Sequence, residues 1–271
     1  MIKDSMNEKS EPKERRILAE QRRRKILKLL EEKGGVKTSK LSSRFSVSEI
    51  TIRKDLDRLQ EKGRLKRTYG GAVKKESTFF EPSHDEKALV NMSAKKEIGK
   101  KVATQIDNNT TVFLGTGTTT MQIIPHLDEK KDLRVITNSL NNGYKLAKST
   151  EVDFSLIGGD FRSKSYALVG PMAEENLNDI YVDQAILGVN GISFKEGLTT
   201  PSPREAKICK KLICKAKSLV VAVDHTKFGK VVHSKIADVE EVDLLVTDDS
   251  VGEEYRKKFK ELDLNWIEVG H

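Results

Sequence analysis

Thr51, Arg53, Lys54 and Arg58 are the side chains in this sequence best suited to reading a polyanion. They fall in the run Ser46-Val47-Ser48-Glu49-Ile50-Thr51-Ile52-Arg53-Lys54-Asp55-Leu56-Asp57-Arg58. Ile52, Leu56 and Leu59 recur at i, i+4 and i+7. Such a stripe must pack inward, which turns the hydroxyl and cationic groups toward other faces. A helix buried on one side and offering hydroxyl and guanidinium groups on the other suits the major groove of a duplex. Ser46 or Ser48 is expected to cap this helix by accepting a free backbone N–H. Glu49, three residues after Ser46, has the spacing of a capping box.

The elements that must position this helix follow from the flanking pattern. A first helix is expected from Glu14 to Glu32, burying Ile26, Leu29 and Leu30 and stopped by Gly34-Gly35. A second begins at Thr38 as N-cap and buries Leu41 and Phe45, with Val47 in the following turn. The third runs to Lys62 and stops at Gly63. Arg64 to Val73 then reads as a β-hairpin around a Gly pair. A hairpin directly after a recognition helix is a wing. Arg64, Lys66 and Arg67 would lie on backbone phosphates, Tyr69 at the turn, and Gly70-Gly71 would let the turn run close to DNA. The alternative is that the hairpin only covers the core.

Charge favours the nucleic-acid reading. The chain has 271 residues and a net charge of +8. Residues 1–75 carry 23 basic and 11 acidic side chains, whereas residues 76–271 carry 26 and 30. A basic segment on a mildly acidic body is the asymmetry expected of a protein whose binding releases counterions from phosphates.

The block from Arg22 to Val73 resembles the DeoR family of bacterial transcriptional regulators. Ile26–Leu30 supply Ile-Leu-x-x-Leu, and Val47–Leu59 supply Val-Ser-x-x-Thr-Ile-Arg-x-Asp-Leu-x-x-Leu. Gly63–Arg67 and Gly70–Ala72 supply Gly-x-Leu-x-Arg and Gly-Gly-Ala. The resemblance places the helix-turn-helix at about Val36–Asp55. Tyr69 stands where the family usually has histidine. The resemblance implies a partner in double-stranded operator DNA.

Residues 1–14 read as a disordered tail, 15–75 as the winged helix-turn-helix domain, 76–93 as a linker broken by Pro82, and 94–271 as an α/β domain. In the last, aliphatic runs at Thr111–Leu114, Leu133–Thr137, Phe154–Ile157, Gln184–Val189, Leu219–Val223 and Leu244–Thr247 alternate with helical stretches. That pattern predicts a doubly wound, largely parallel sheet, with ligands bound beyond the carboxyl ends of its strands. After the first run comes Gly115-Thr116-Gly117-Thr118-Thr119-Thr120 and an expected helix. Glycines admit a ligand close to the backbone, threonines offer hydroxyls, and a helix N-terminus favours an anion such as phosphate. A plain tight turn is the competing reading.

Residues 82–248 also resemble the DeoR family's effector-sensing domain, through Gly117-Thr118-Thr119, Thr137-Asn138-Ser139, Leu156–Gly159, Gly188–Gly191, Gly197–Thr200, Glu205-Ala206 and Asp224–Gly229. The resemblance implies a Rossmann-like fold similar to ribose-5-phosphate isomerases and a phosphorylated-sugar ligand. It implies that Gly115, Thr116, Gly117, Thr118 and Thr119 hold the phosphate. Asn138, Asn190, Glu205 and Lys227 would surround the sugar. Lys227 also suits phosphate as a point charge, against the bland reading of a solvated surface lysine. Gly115-Thr116 replace the family's frequent Asp-Ser, which brings the loop nearer to the isomerases' Gly-Thr-Gly.

The remaining composition excludes other classes. No apolar run approaches the ~18 residues of a membrane span, and the polar, charged N-terminus is not a signal peptide. Cys209 and Cys214 face different sides of one helix, so neither a disulfide nor a metal site is expected, and no cofactor is implied. His84, His126, His233 and His271 read as solvated or structural, while His225 sits beside Asp224. Leu187–Gly191 lacks the acidic cluster of the isomerases, which leaves Glu205 as the one candidate base for a rival, enzymatic reading. The expectation is a cytoplasmic, homodimeric or homotetrameric regulator, most simply a repressor released by a sugar phosphate. An activator uses the same parts.

Overall fold

The computed structural model describes residues 19–62, 64–73, 81–149 and 151–270, and the chain divides into two compact units between Ser77 and Thr78. The expected tail, the start of the first helix before Ala19 and the stop at Gly63 lie outside the described residues.

In the first unit, α1 (Ala19–Lys33) ends at Gly34, whose positive φ of 69° and N–H bond to the Leu30 carbonyl (2.9 Å) are those of a glycine past a helix end. Then follow β1 (Gly35–Lys37), α2 (Thr38–Phe45), α3 (Glu49–Glu61), β2 (Lys66–Thr68) and β3 (Gly71–Val73). The stripe read from sequence holds: Ile52, Leu56 and Leu59 pack with Ile26, Leu30, Leu41 and Phe45. Three details correct the sequence reading. Thr38 is not the N-cap of α2 but its first helical residue; it is buried, and its N–H goes to the Gly70 carbonyl (2.7 Å). Ser48, not Ser46, caps α3, accepting from the Thr51 N–H (3.3 Å), while Ser46 closes α2 in a left-handed conformation. Glu49 forms no capping box and instead pairs with Arg53 one turn on, at 3.1 Å.

The hairpin belongs to a three-stranded antiparallel sheet of order β1-β3-β2. Its inner strand covers the core, with Ala72 fully buried, and its Tyr69-Gly70 turn projects outward. Gly71 is required for packing rather than for φ, because a Cβ there would lie 1.8 Å from the Val36 carbonyl oxygen. One buried polar cluster ties α3 down. Asp55 on α3 is 3 % exposed and accepts from Arg22 Nε (2.5 Å) and Arg23 Nη1 (3.0 Å) on α1.

The second unit opens with α4 (His84–Ala88) and α5 (Met92–Thr104), so residues 81–93 fold with this unit rather than forming a linker. There follow β4 (Thr111–Leu114), β5 (Arg134–Thr137), α6 (Leu140–Ser149), β6 (Asp153–Leu156), β7 (Asp160–Arg162), β8 (Ala167–Val169), α7 (Pro171–Asn176) and β9 (Val182–Leu187). The chain continues through β10 (Gly191–Ser193), β11 (Gly197–Thr200), α8 (Pro203–Ile213), β12 (Ala216–Ala222), β13 (Ser234–Ala237), β14 (Leu244–Asp248), α9 (Glu253–Glu261) and β15 (Trp266–Val269). Every run predicted as a strand falls in one parallel sheet of order β15-β14-β12-β9-β4-β5-β6.

The aliphatic runs of the inner strands are explained by burial on both faces, whereas β6, at the sheet edge, is exposed along its length. Phe113, Ala185, Leu187 and Val221 pack on one side, with Ile208 and Leu212 of α8 and Phe259 of α9. Val112, Leu114, Ile186 and Val220 pack on the other, with Ile98 and Val102 of α5 and Leu146 of α6. Two small sheets, β7-β8 and β10-β11-β13, were not foreseen. The strand order reverses between β4 and β9, which makes their carboxyl ends the switch point where such folds open a crevice.

Replacing Asp55 with alanine leaves the Arg22 guanidinium buried without its carboxylate. The first unit should lose about 3–5 kcal/mol, read as a lowered transition in a thermal melt of the full chain while the second unit's transition stays in place.

Candidate functional site

Helix α3 presents Arg53, Lys54 and Arg58 to solvent, with Thr51 half-buried beside the cap and Ser46 and Ser48 exposed at its start. Ser48 Oγ and Thr51 Oγ1 share a hydrogen bond of 2.9 Å. Ile50, which sequence reasoning passed over, is 65 % exposed on the same helix; its signal was an apolar residue outside the buried stripe. On the hairpin, Arg64 and Lys66 are exposed and Tyr69 is 66 % exposed. Arg67 is not a free phosphate contact. Its Nε lies 3.5 Å from Asp57, its Nη1 donates to the Arg53 carbonyl (3.4 Å), and its N–H donates to Gln60 (2.7 Å), so it fastens the hairpin to α3. Thr38 and Gly71 are buried, and Gly70 is half-buried in the turn, accepting the Thr38 N–H.

In the second unit a cleft opens at the switch point, with about 680 Å³ of unfilled space between its walls, solvent at its mouth included. Thr116, Gly117, Thr118 and Thr119 form one wall, and Gly188, Val189 and Asn190 another. Glu205 and Lys227 also reach it, so seven of the nine expected effector residues line the cleft, Asn190 among them. Gly115 and Asn138 lie deeper, around a small void beside Phe113 and Leu187. Asn138 is engaged structurally: its side chain donates to the Leu168 carbonyl (3.0 Å) and its carbonyl accepts from the Leu168 N–H (2.7 Å).

The expected helix after the Gly-Thr loop is instead two 3-10 turns, Thr120–Gln122 and Ile124–His126. A full α-helix therefore does not begin at the loop. Its shape is held by fully buried Thr120, whose hydroxyl bonds the Gly115 carbonyl (2.8 Å). The N–H groups of Gly117, Thr118 and Thr119 donate to no described residue. Successive free N–H groups in a concave loop make a nest for an anion.

Charged side chains crowd the cleft. Lys227 Nζ lies 3.9 Å from Asp224, which is 1 % exposed and also accepts from Asn91 Nδ2 (3.3 Å). Glu205, at the start of α8, accepts from Arg162 Nη1 (3.2 Å), Thr200 Oγ1 (3.1 Å) and Ser165 Oγ. Arg162 is also gripped by Glu81, through Nη1 at 3.0 Å and through Nη2, and Lys87 Nζ reaches Glu81 at 3.3 Å. Glu81, Lys87, Lys95 and Arg162 were all missed, because they come from the supposed linker, from α5 and from a small sheet whose pairing the sequence pattern does not announce.

Burial pulls the Glu81 carboxyl upward, but hydrogen bonds and charge from Arg162 and Lys87 outweigh it and hold it below its ordinary value. Burial lowers Lys87 and drives Lys95 down to about 8 despite the pull of Asp224. Lys95 is 2 % exposed and donates to the Lys87 carbonyl (2.6 Å). Cys209 lines the cleft, but burial, aided by Glu205, pushes its thiol up to about 12, so it is no nucleophile. His84 is buried in the cleft wall against Tyr166, ring centroids 5.3 Å apart, and burial lowers its pKa. His225 turns away to Asp248 (2.6 Å).

Comparison with known proteins agrees with both units. The DeoR-like helix-turn-helix domain matches residues 22–78, and the DeoR C terminal sensor domain matches residues 90–249. The uncharacterized HTH-type transcriptional regulator FruR of Bacillus subtilis is 34 % identical over 86 % of this chain and 92 % of its own length. The glycerol-3-phosphate regulon repressor of Escherichia coli is 33 % identical over 84 % of this chain and 90 % of its own. Among solved structures, ribose 5-phosphate isomerase A from Methanocaldococcus jannaschii covers 51 % of this chain and 55 % of its own at 19 % identity and a TM-score of 0.39, a likeness too weak to say what the cleft holds.

Lys95 carries a testable electrostatic cost. Its folded pKa lies below the unfolded one, so the unfolded chain binds the extra proton between pH 8 and 10.5 and this group's contribution to stability rises with pH across that window. Against Lys95→Met, the wild type should gain up to about 3 kcal/mol in going from pH 7 to pH 10, measured by urea unfolding; a constant difference would refute the assignment. With both domains matched in order and relatives aligned over most of their length, the chain belongs to the DeoR family of DNA-binding transcriptional regulators.

Proposed function

We propose that this protein is a repressor of a carbohydrate-use operon, reading its operator with α3 and released when a phosphorylated sugar enters the cleft of the second unit. The observation that carries this reading is the pairing of a cationic, hydroxyl-bearing helix face in one unit with a cleft in the other that offers a loop of free N–H groups and Lys227. Arg53, Lys54, Arg58, Thr51 and Ser48 contact the duplex, and Arg64, Lys66 and Tyr69 approach its backbone. Thr116–Thr119 receive the phosphate, with Lys227 as its counter-charge, and Asn190 faces the sugar. Relatives named as repressors of the glycerol-3-phosphate regulon and, putatively, of an aga operon support the sign of regulation.

A single winged unit makes a small interface, so the working form is a homodimer or homotetramer reading repeated half-sites in the cytoplasm. The effector releases DNA only by binding the DNA-incompetent arrangement more tightly. Sensing rather than catalysis is favoured because Glu205, the candidate base, already accepts from Arg162, Ser165 and Thr200.

Fluorescence anisotropy on DNA from upstream of the protein's own operon tests the reading. Binding should weaken steeply with salt, and one sugar phosphate of a panel should release the DNA. Arg53→Ala should cost about 1–3 kcal/mol of operator affinity; unchanged affinity removes α3 as the reader. Thr118→Ala combined with Lys227→Ala should abolish the effector response while leaving operator binding intact, and a normal response in that variant refutes the proposed site.

A further inference from the structure

Residues 81–88 bring their own carboxylate to the wall of the cleft. Glu81 is 7 % exposed and bonds both Nη atoms of Arg162, with Lys87 Nζ 3.3 Å from Oε1, the oxygen that Arg162 Nη1 also reaches. This anion is seated at the cleft: Lys87 lines it directly, and Arg162 donates to two of its lining residues, Ser165 (3.1 Å) and Glu205 (3.2 Å). The cluster is balanced as it stands, with two cations, Arg162 and Lys87, against two carboxylates, Glu81 and Glu205. Removing Glu81 would leave two half-buried cations against Glu205 alone, an excess charge that a sugar hydroxyl cannot neutralise and a phosphate or carboxylate can.

Resting on the sensor reading above, we propose that Arg162 and Lys87 form a second anion subsite of the cleft. Glu81 occupies it as a built-in competitor, so the effector is a small molecule with two anionic groups. One group sits on the Gly-Thr loop. The other displaces Glu81 and frees residues 81–88, the first described residues after the stretch that joins the two units. The displacement couples ligand binding to the segment through which the chain arrives from the DNA-binding unit. A ligand with a single anionic group fills the loop and leaves Glu81 in place.

Two matched probe pairs test this by calorimetry on the full chain: glycerol 3-phosphate against 3-phosphoglycerate, and fructose 6-phosphate against fructose 1,6-bisphosphate. Within at least one pair the doubly anionic member should bind more tightly. Glu81→Gln should widen that ratio by roughly fivefold or more, because the competitor is gone, and Lys87→Met should bring it toward one. Hydrogen exchange on the wild type guards against a variant that fails to fold: the doubly anionic probe should speed exchange in residues 81–88, and its partner should not. Equal binding within both pairs, or an unchanged ratio in both variants with exchange of 81–88 unaltered, overturns the second subsite and leaves the sensor reading standing. Binding of none of the four probes overturns both.

Discussion

A charge taken out of water must find a counter-charge, and in both units this constraint decides where functional side chains sit. In the first, Asp55 on the inner face of α3 is clamped by Arg22 and Arg23 of α1. The apolar stripe of Ile52, Leu56 and Leu59 decides which side of the helix is buried. The ion pair adds direction and register, because a guanidinium at 2.5 Å tolerates little sliding. Arg53, Lys54 and Arg58 are displayed as a consequence of what the opposite face is obliged to do. The hairpin follows the same logic, since Arg67 spends its donors on Asp57 and the α3 backbone.

In the second unit the constraint is sharper, since more charges meet at a strand switch point. The reversal of strand order between β4 and β9 opens the sheet, and β4 delivers its Gly-Thr loop into the gap. A Cβ on Gly115 would come within 2.9 Å of the Leu187 side chain and 3.2 Å of the Ile186 carbonyl oxygen, so glycine eases the close passage of the loop past β9. Around this opening Lys87, Lys95, Arg162 and Lys227 meet Glu81, Glu205 and Asp224, four cations against three anions. The count leaves one positive charge in excess, partly withdrawn by the depressed pKa of Lys95, and this is the balance the proposed anionic ligand would meet. Hydrogen bonds already made to Glu205 hold it as a positioned acceptor, a geometry suited to recognition rather than proton abstraction.

Much of this was legible in the sequence where local rules govern. The three-helix order, the glycine stop at Gly34 and six of the seven strands of the main sheet follow from periodicities of 3.6 and from aliphatic runs. Errors arose where a residue's partner is remote. Thr38 reads as an N-cap until β3 places the Gly70 carbonyl over its N–H. One error was local: the segment after Thr119 reads as a helix, yet it folds as two 3-10 turns pinned by Thr120 and Gln122 to nearby loop carbonyls. Residues 81–93 read as linker because their order comes from charges contributed by Arg162 and Asp224, far along the chain.

By itself, then, the sequence determined the class of each unit, the family, the helix α3 with its buried stripe and the Gly-Thr loop, because these depend on residue type and spacing within a few turns of chain. Only the tertiary structure decided which polar side chains share a cleft. The Glu81–Arg162–Glu205 chain joins residues 81, 162 and 205, and no short-range pattern records that they meet. Burial is what makes the meeting matter: the same three side chains on a solvated surface would interact weakly, whereas withdrawn from water they must compensate one another.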